Sequence, residues 1–162
     1  MAKISLILIA TFFLAQMLNS TEIYGVPKII DGDTVYINNK KIRLEGIDAP
    51  EIKQQCKKPF LKISAIIGFE FNKNYSCGLM SKKKLIDKID NSKIKCISSS
   101  KDRYKRFLAT CFKDKINLNK WMVRNGNAVA YKRYSKDYVR DEAYAKENKL
   151  GVWEGSLSLI HI

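Results

Sequence analysis

Asp33, Arg43, Asp48, Glu51 and Arg106 are the residues of this chain whose types and spacing could do chemistry together. Residues 29–37 read IIDGDTVYI and residues 42–51 read IRLEGIDAPE. The second stretch begins as a half-buried strand, with Ile42 and Leu44 alternating against Arg43 and Glu45, and ends in a Gly-Ile-Asp-Ala-Pro-Glu turn. Strands avoid Asp and Pro, and buried charge is costly unless it is paired or bound to a metal. Two carboxylates from neighbouring strand ends, Asp33 and Asp48, can converge on one hard cation, and oxygen donors select Ca2+ or Mg2+ over zinc. Arg43 and Arg106 can clamp a phosphate through bidentate, charge-assisted hydrogen bonds. Glu51 can take a proton from water. Metal, clamps and a carboxylate base form a set able to hydrolyse a phosphodiester without histidine.

Each piece alone has a plainer reading. Asp-Gly is an ordinary hairpin turn, Pro50 explains a turn by itself, and Asp102-Arg103-Tyr104-Lys105-Arg106 reads equally as a solvated basic loop. It is the combination that points to chemistry.

Composition excludes several alternatives. The one histidine is His161, next to the last residue, so catalysis with histidine as base or nucleophile has no candidate. The four cysteines, Cys56, Cys77, Cys96 and Cys111, include no C-x-x-C pair, which argues against a zinc site. Lys3 precedes a mostly apolar run from Ile4 to Leu18 and then a polar exit, the pattern of a secretory signal peptide over residues 1–20. No clean A-x-A pattern precedes Thr21, so an uncleaved membrane anchor is the alternative. A single domain over 21–162 is expected, secreted or periplasmic. Removing residues 1–20 takes away one lysine and no acid, lowering the net charge from +14 to +13. So positive a balance suits a polyanionic partner, nucleic acid or an anionic surface. An even cysteine count behind a signal peptide suggests two disulfides, with three connectivities open.

The elements that must position the candidate residues begin with three short strands, Val26 to Ile30, Thr34 to Asn38 and Lys41 to Ile47, separated by turn-forming residues. A second hairpin is expected from Lys93 to Ser98 and Arg106 to Phe112. If these pair antiparallel about the loop centred between Arg103 and Tyr104, Cys96 faces Cys111, and Cys56 pairs with Cys77 by elimination. Helices are expected over Leu79 to Ile89, over Leu118 to Asn125 with Asn117 as N-cap and Gly126 as stop, and over Lys136 to Leu150 with Ser135 as cap and Gly151 as stop. The insert from Lys57 to Ser76 has an apolar middle without clear period and reads as a packed loop or irregular helix. Five short strands with about three helices predict an α+β fold built on a small OB-type β-barrel.

Five collinear stretches resemble the staphylococcal nuclease (thermonuclease) family: the two quoted above, DRYKRFLAT (102–110), WMVRNGNAVAYKRYS (121–135) and AKENKLGVWEG (145–155). They cover most of the chain beyond residue 20. The resemblance implies a five-stranded OB barrel with three helices and a Ca2+-dependent endonuclease acting on DNA and RNA. It implies that Asp33 and Asp48 are metal carboxylates, joined by the backbone carbonyl of Ala49. Glu51 matches the general base or water-orienting residue, and Arg43 and Arg106 match phosphate-binding arginines. Tyr104 matches a tyrosine beside the substrate phosphate, and Tyr131 one that packs near the nucleotide, although a core or helix-edge role for Tyr131 is equally open.

Three departures stand out. Ala49 replaces a threonine, losing a hydroxyl but not the carbonyl. Lys105 replaces the usual glycine between tyrosine and arginine, which leads us to expect a different turn and a shifted Arg106. The Lys57–Ser76 insert has no counterpart in the simplest members. A noncatalytic OB-fold nucleic-acid binder is the competing reading, and a binder of anionic polysaccharide or lipid a third. The third explains the charge but not the clustered Asp, Arg and Glu. A monomer without a stable protein partner is expected.

Overall fold

The structure is a computed structural model that describes residues 20–63 and 69–155. The apolar run read as a signal peptide or anchor, and His161, lie outside the described residues. Among the described residues no helix is long and apolar enough to cross a membrane.

In chain order the strands are β1 (Thr21–Gly25), β2 (Lys28–Ile29), β3 (Thr34–Ile37), β4 (Lys40–Leu44), β5 (Ile47–Asp48), β6 (Cys56–Ile63), β7 (Phe69–Tyr75), β8 (Ile94–Lys101), β9 (Phe107–Lys113), β10 (Ile116–Asn117) and β11 (Val129–Ala130). Helix α1 (Cys77–Ile89) follows β7, α2 (Leu118–Arg124) follows β10, and α3 (Val139–Glu147) follows β11; a 3-10 turn spans Gly151–Glu154. The main sheet is curled and mixed, in the order β1-β8-β9-β4-β3-β2, with β10 added to β9. The architecture is the OB-type α+β fold with three helices.

Alternation explains the central strands. Val35, Ile37, Ile42 and Leu44 are fully buried on one face of β3 and β4. Asn38 and Asn39 join these strands with φ of 47° and 61°, the two left-handed residues that a tight I′ hairpin turn requires. Ile94 and Cys96 of β8, and Ala109 and Cys111 of β9, extend the same core. Leu85 and Ile89 of α1 close one side, and Leu118, Met122 and Val123 of α2 close another.

Two of the expected helices sit where their signals place them. In α2 the Asn117 side chain accepts from the backbone N–H of Lys120 at 2.9 Å, and Gly126 follows at φ 66°. The third helix is shorter than its pattern. Ser135 does not cap it; its Oγ accepts from the N–H of Asp137 at 3.1 Å, and α3 starts only at Val139. Ser135 has formed a local turn of its own instead.

The insert is the larger difference. Its described residues form neither a loop nor an irregular helix but an antiparallel strand pair, β6 with β7, in a two-stranded sheet of its own. The register shifts between Pro59 and Leu61, and that break hides a period of two from sequence inspection. The first strand, β1, was not foreseen either; it pairs with β8 from Thr21↔Ser98 to Gly25↔Ile94.

Both cysteine pairs are disulfides, Cys96–Cys111 across β8 and β9 and Cys56–Cys77 at the base of the insert. Cys96 and Cys111 face each other in the register that the hairpin reading anticipates.

One buried polar side chain ties the layers together. Asn119, 0% exposed, donates to the carbonyls of Glu45 at 2.9 Å and Ala109 at 3.0 Å and accepts from the N–H of Cys111 at 3.0 Å. It thereby joins α2 to β9 and to the turn that follows β4. Asn119→Leu keeps the branched skeleton but strips the Cys111 N–H and the Glu45 carbonyl of this partner. We expect a loss on the order of 2–4 kcal/mol in urea unfolding, because buried polar groups left without a partner are expensive.

Candidate active site

Arg43 projects from β4, opposite Thr34 of β3 and beside Leu108 of β9. Its Nη1 lies 2.7 Å from Asp33 Oδ1, and its Nη2 lies 2.6 Å from Asp48 Oδ1. One guanidinium therefore spans two carboxylates that the chain brings from different turns. Asp33 sits where β3 begins, 3% exposed, and every oxygen of its carboxylate is engaged. Oδ1 also accepts from the Thr34 hydroxyl at 2.9 Å, and Oδ2 accepts from the N–H of Ala49 at 3.0 Å. Ala49 is thus held against Asp33 through its backbone, which the change from threonine leaves intact. Asp48 is only half-buried, and among the described residues its Oδ2 accepts no hydrogen bond.

Neighbouring elements fix Asp48. Its strand β5 pairs with β11, Val129 opposite Asp48 and Ala130 opposite Ile47. Buried Glu142 of α3 in turn accepts from the N–H of Ala130 at 3.3 Å. Burial works against the Glu142 charge, but hydrogen bonds from Lys132 and Lys146 outweigh it and hold the carboxyl below its usual range.

The electrostatics of Asp33 are unbalanced. Burial, only partly offset by Arg43 and reinforced by the charge of Asp31, pushes its carboxyl up to about 7. Three aspartates, Asp31, Asp33 and Asp48, act on one arginine. For Arg43 itself, burial disfavours the charge, yet Asp33 and Asp48 overcome that and raise its pKa. The donors are all oxygens, and one cation too few stands among them. Oxygen donors of this kind are the ones a hard divalent ion prefers. Among the described residues no cluster of three or more His, Cys, Asp and Glu could hold a metal without further donors. An ion here would need the Ala49 carbonyl, water or substrate oxygens beside Asp33 and Asp48.

The second arginine stands on the same face. Arg43 pairs with Leu108 in the parallel β4–β9 ladder, so Arg106, two residues earlier, falls on the Arg43 side of the sheet. Asp102 organises it: its Oδ2 accepts from Arg106 Nε at 2.7 Å, and its Oδ1 accepts from the N–H groups of Tyr104 at 2.8 Å and Arg106 at 3.0 Å. Lys105 takes φ 62°, the left-handed conformation that glycine adopts freely. The substitution is therefore accommodated with some backbone strain, and Arg106 is seated by Asp102. Tyr104 is 65% exposed, with the guanidinium carbons of Arg103 and Arg106 4.9 and 5.4 Å from its ring centre.

Tyr131 follows β11, and its N–H donates to the carbonyl of Gly46 at 2.9 Å, close to Asp48 in the chain. It is half-exposed and meets Tyr134 edge-on at 4.8 Å between ring centres, so it is not a core residue. Glu51 is exposed. Among the described residues its carboxylate has no hydrogen bond or ion pair, so no lysine neutralises it. The structure thus joins Asp33, Arg43, Asp48 and Ala49 directly and sets Arg106 on the same face, with Tyr104 beside Arg106; among the described residues no hydrogen bond or ion pair ties the side chains of Glu51, Tyr104 or Tyr131 to the Asp33–Arg43–Asp48 group.

Residues 41–155 match the family model described as staphylococcal nuclease homologue. The chain belongs to the staphylococcal nuclease family. It is 34% identical over 134 residues to a succinoglycan biosynthesis protein, ExoI, of Rhizobium meliloti, covering 81% of this chain and 64% of that one. It is 35% identical over 135 residues to a protein of Haemophilus influenzae named an uncharacterized endonuclease, covering 79% of this chain and 64% of that one. A probable staphylococcal-like nuclease of rice, CAN3, is 26% identical over 123 residues, 75% of this chain and 27% of that one. The chain thus spans somewhat under two thirds of the length of the first two relatives.

Within this staphylococcal nuclease domain, two residues matter that the sequence reading left unassigned. Asp31 reads as turn chemistry, and its Oδ1 does accept from the N–H of Asp33 at 3.0 Å, but its charge also acts on Asp33 and Arg43. Asp102 reads as part of a basic loop, and only its spacing to Tyr104 and Arg106 hints that it caps both.

The raised pKa of Asp33 has a sign that can be tested. A carboxyl near 3.8 in the unfolded chain and at about 7 in the folded one binds its proton more tightly when folded. Its contribution to stability is therefore greatest at low pH and is lost as pH rises between those values. In chelator, unfolding free energies of the wild-type chain should fall relative to Asp33→Asn from pH 4 to pH 7. A difference that stays flat across that window contradicts the assignment.

Proposed function

We propose that this chain is a secreted or periplasmic Ca2+-dependent endonuclease that hydrolyses phosphodiester bonds of DNA, RNA or both. It would act as a single domain over residues 21–162, without a stable protein partner. The observation that carries the reading is the Arg43 bridge: one arginine held between two aspartates, at the edge of a face that also bears Arg106. Family membership supports the nuclease chemistry, the net charge of +14 supports a polyanionic substrate, and the two disulfides support an oxidising compartment.

Asp33, Asp48 and the Ala49 carbonyl would hold the ion. When bound, Ca2+ supplies positive charge against the phosphate and its developing negative charge. Arg43 and Arg106 present planar donors to the phosphate oxygens. They stabilise the added charge as water attacks phosphorus and the leaving oxygen departs. Glu51, exposed and unneutralised, accepts the proton of the attacking water. Tyr104 lies beside the phosphate with Arg106, and Tyr131 beside the nucleotide.

Glu51→Gln keeps shape and removes the base. Turnover should drop by about 10²–10⁴-fold, the usual reach of general acid–base catalysis, while substrate binding and melting temperature stay nearly unchanged. Unaltered turnover would remove Glu51 from the mechanism. Arg43→Lys should lower turnover strongly and affinity somewhat, since lysine cannot reproduce the planar fork. Digestion of single- and double-stranded substrates should require Ca2+. Binding without cleavage in Ca2+ would favour a noncatalytic binder, and full cleavage in excess chelator would eliminate the metal mechanism.

A further inference from the structure

The mechanism asks Glu51 to stand at a fixed place, yet among the described residues no side chain holds its carboxylate. Its backbone, by contrast, is held closely. The Glu51 N–H donates to Gln54 Oε1 at 3.1 Å, and its carbonyl accepts from the N–H of Gln54 at 2.7 Å. The turn rests on the first residues of α1. A Cβ built on Gly78 would stand 1.7 Å from the Glu51 carbonyl oxygen, so glycine is what lets helix and turn approach. Gly78 also donates to the Gln54 carbonyl at 3.4 Å, and Gln55 Nε2 donates to Ser76 Oγ at 2.9 Å. The covalent element is the Cys56–Cys77 disulfide, which joins the end of this turn to the first residue of α1.

The same helix touches the other half of the site. Ser81, one turn further along α1, is buried and donates to the Asn127 carbonyl at 2.7 Å. A Cβ on Gly32 would fall 2.0 Å from Ser81 Oγ and 2.7 Å from the Cβ of Ala49. Helix α1 therefore meets the Asp31–Asp33 turn through Gly32 and the Glu51 turn through Gly78. It is a common rest for the aspartate that would hold the ion and the carboxylate that would take the proton.

We infer that the Cys56–Cys77 disulfide, with Gln54 and Gly78, is a positioning device for Glu51, locking its turn onto α1 at a set distance from Asp33. The inference rests on the role given to Glu51 above. The two disulfides then do different work. Cys96–Cys111 lies inside the β8–β9 ladder and only stabilises, whereas Cys56–Cys77 also sets turnover.

The test is a cycle of variants assayed in Ca2+ well below every melting temperature, with native near-UV dichroism as the criterion of folding. Replacing Cys56 and Cys77 together by Ala should lower kcat by about 10–100-fold, the scale on which a misplacement of about 1 Å acts, and leave KM within about threefold. Cys96→Ala with Cys111→Ala should lower the melting temperature with kcat within about twofold, since it frees no catalytic group. The decisive arm repeats the Cys56/Cys77 replacement in Glu51→Gln. There the further loss should shrink to within about twofold, because the positioned group is already gone. Unchanged kcat in the first variant, or a loss that persists undiminished without Glu51, overturns the positioning role. If the double variant does not fold, Gln54→Ala keeps the disulfide and removes the acceptor of the Glu51 N–H. It should lower kcat by roughly 3–10-fold with the same dependence on Glu51, and unaltered kcat there overturns the inference. Unaltered turnover in Glu51→Gln alone is a separate outcome: it contradicts the base assignment, and the positioning role falls with it.

Discussion

The guanidinium of Arg43, set between the carboxylates of Asp33 and Asp48, is the interaction on which this site depends. Asp33 is deeply buried and could not carry its charge there unaided. Arg43 offsets part of that cost and, by reaching Asp48, fixes the turn that follows β5. Removing the arginine would leave two carboxylates facing each other with Asp31 nearby. The bridge assembles the acidic pair, yet leaves it with less positive than negative charge.

The fold is arranged to supply that bridge. The tight Asn38-Asn39 turn sets Thr34 opposite Arg43, which brings the start of β3 under the arginine. The β5–β11 pairing carries Asp48 to its partner, and Glu142 braces it from α3. Parallel pairing of β4 with β9 puts Arg106 on the same face, and Asn119 locks β9 to the turn after β4. Secondary elements far apart in the chain thus converge on one end of the central strands, with α1 closing it from the side of Gly32 and Gly78.

Much of this was legible in the sequence, and the reasons differ by element. The β3–β4 hairpin was readable because alternation and turn chemistry agree there, and α2 because Asn117 and Gly126 mark its ends. The Cys96–Cys111 pairing followed from strand register. The β6–β7 pair was not readable, because a shift at Pro59 breaks the alternation and apolar residues without period fit several structures. The start of α3 was misplaced because Ser135 could cap either a turn or a helix, and the local turn won. At the site, Asp33, Arg43 and Asp48 announced themselves as charges at strand ends. Asp31 did not, since its turn hydrogen bond gives it a sufficient local explanation. At Lys105 the replaced glycine signals an unusual turn, but not what holds a lysine in it: the left-handed conformation is kept by local bonds, the Asp102 carboxylate accepting from Tyr104 and Arg106 and the backbone of Asp102 bonding those of Lys105 and Arg106.

The central claim is that Asp33 and Asp48 form one cation site assembled by Arg43. Calorimetric titration of Ca2+ into the metal-free chain, beside Asp33→Asn, Asp48→Asn and the double variant, tests it most directly. One site predicts single-ion binding near neutral pH, a loss of at least about tenfold in affinity for either single change, and a double change worth less than the two combined, since both remove the same ion. Ca2+ binding that survives both substitutions, or no binding by the wild-type chain with or without a nucleotide phosphate present, would contradict the account.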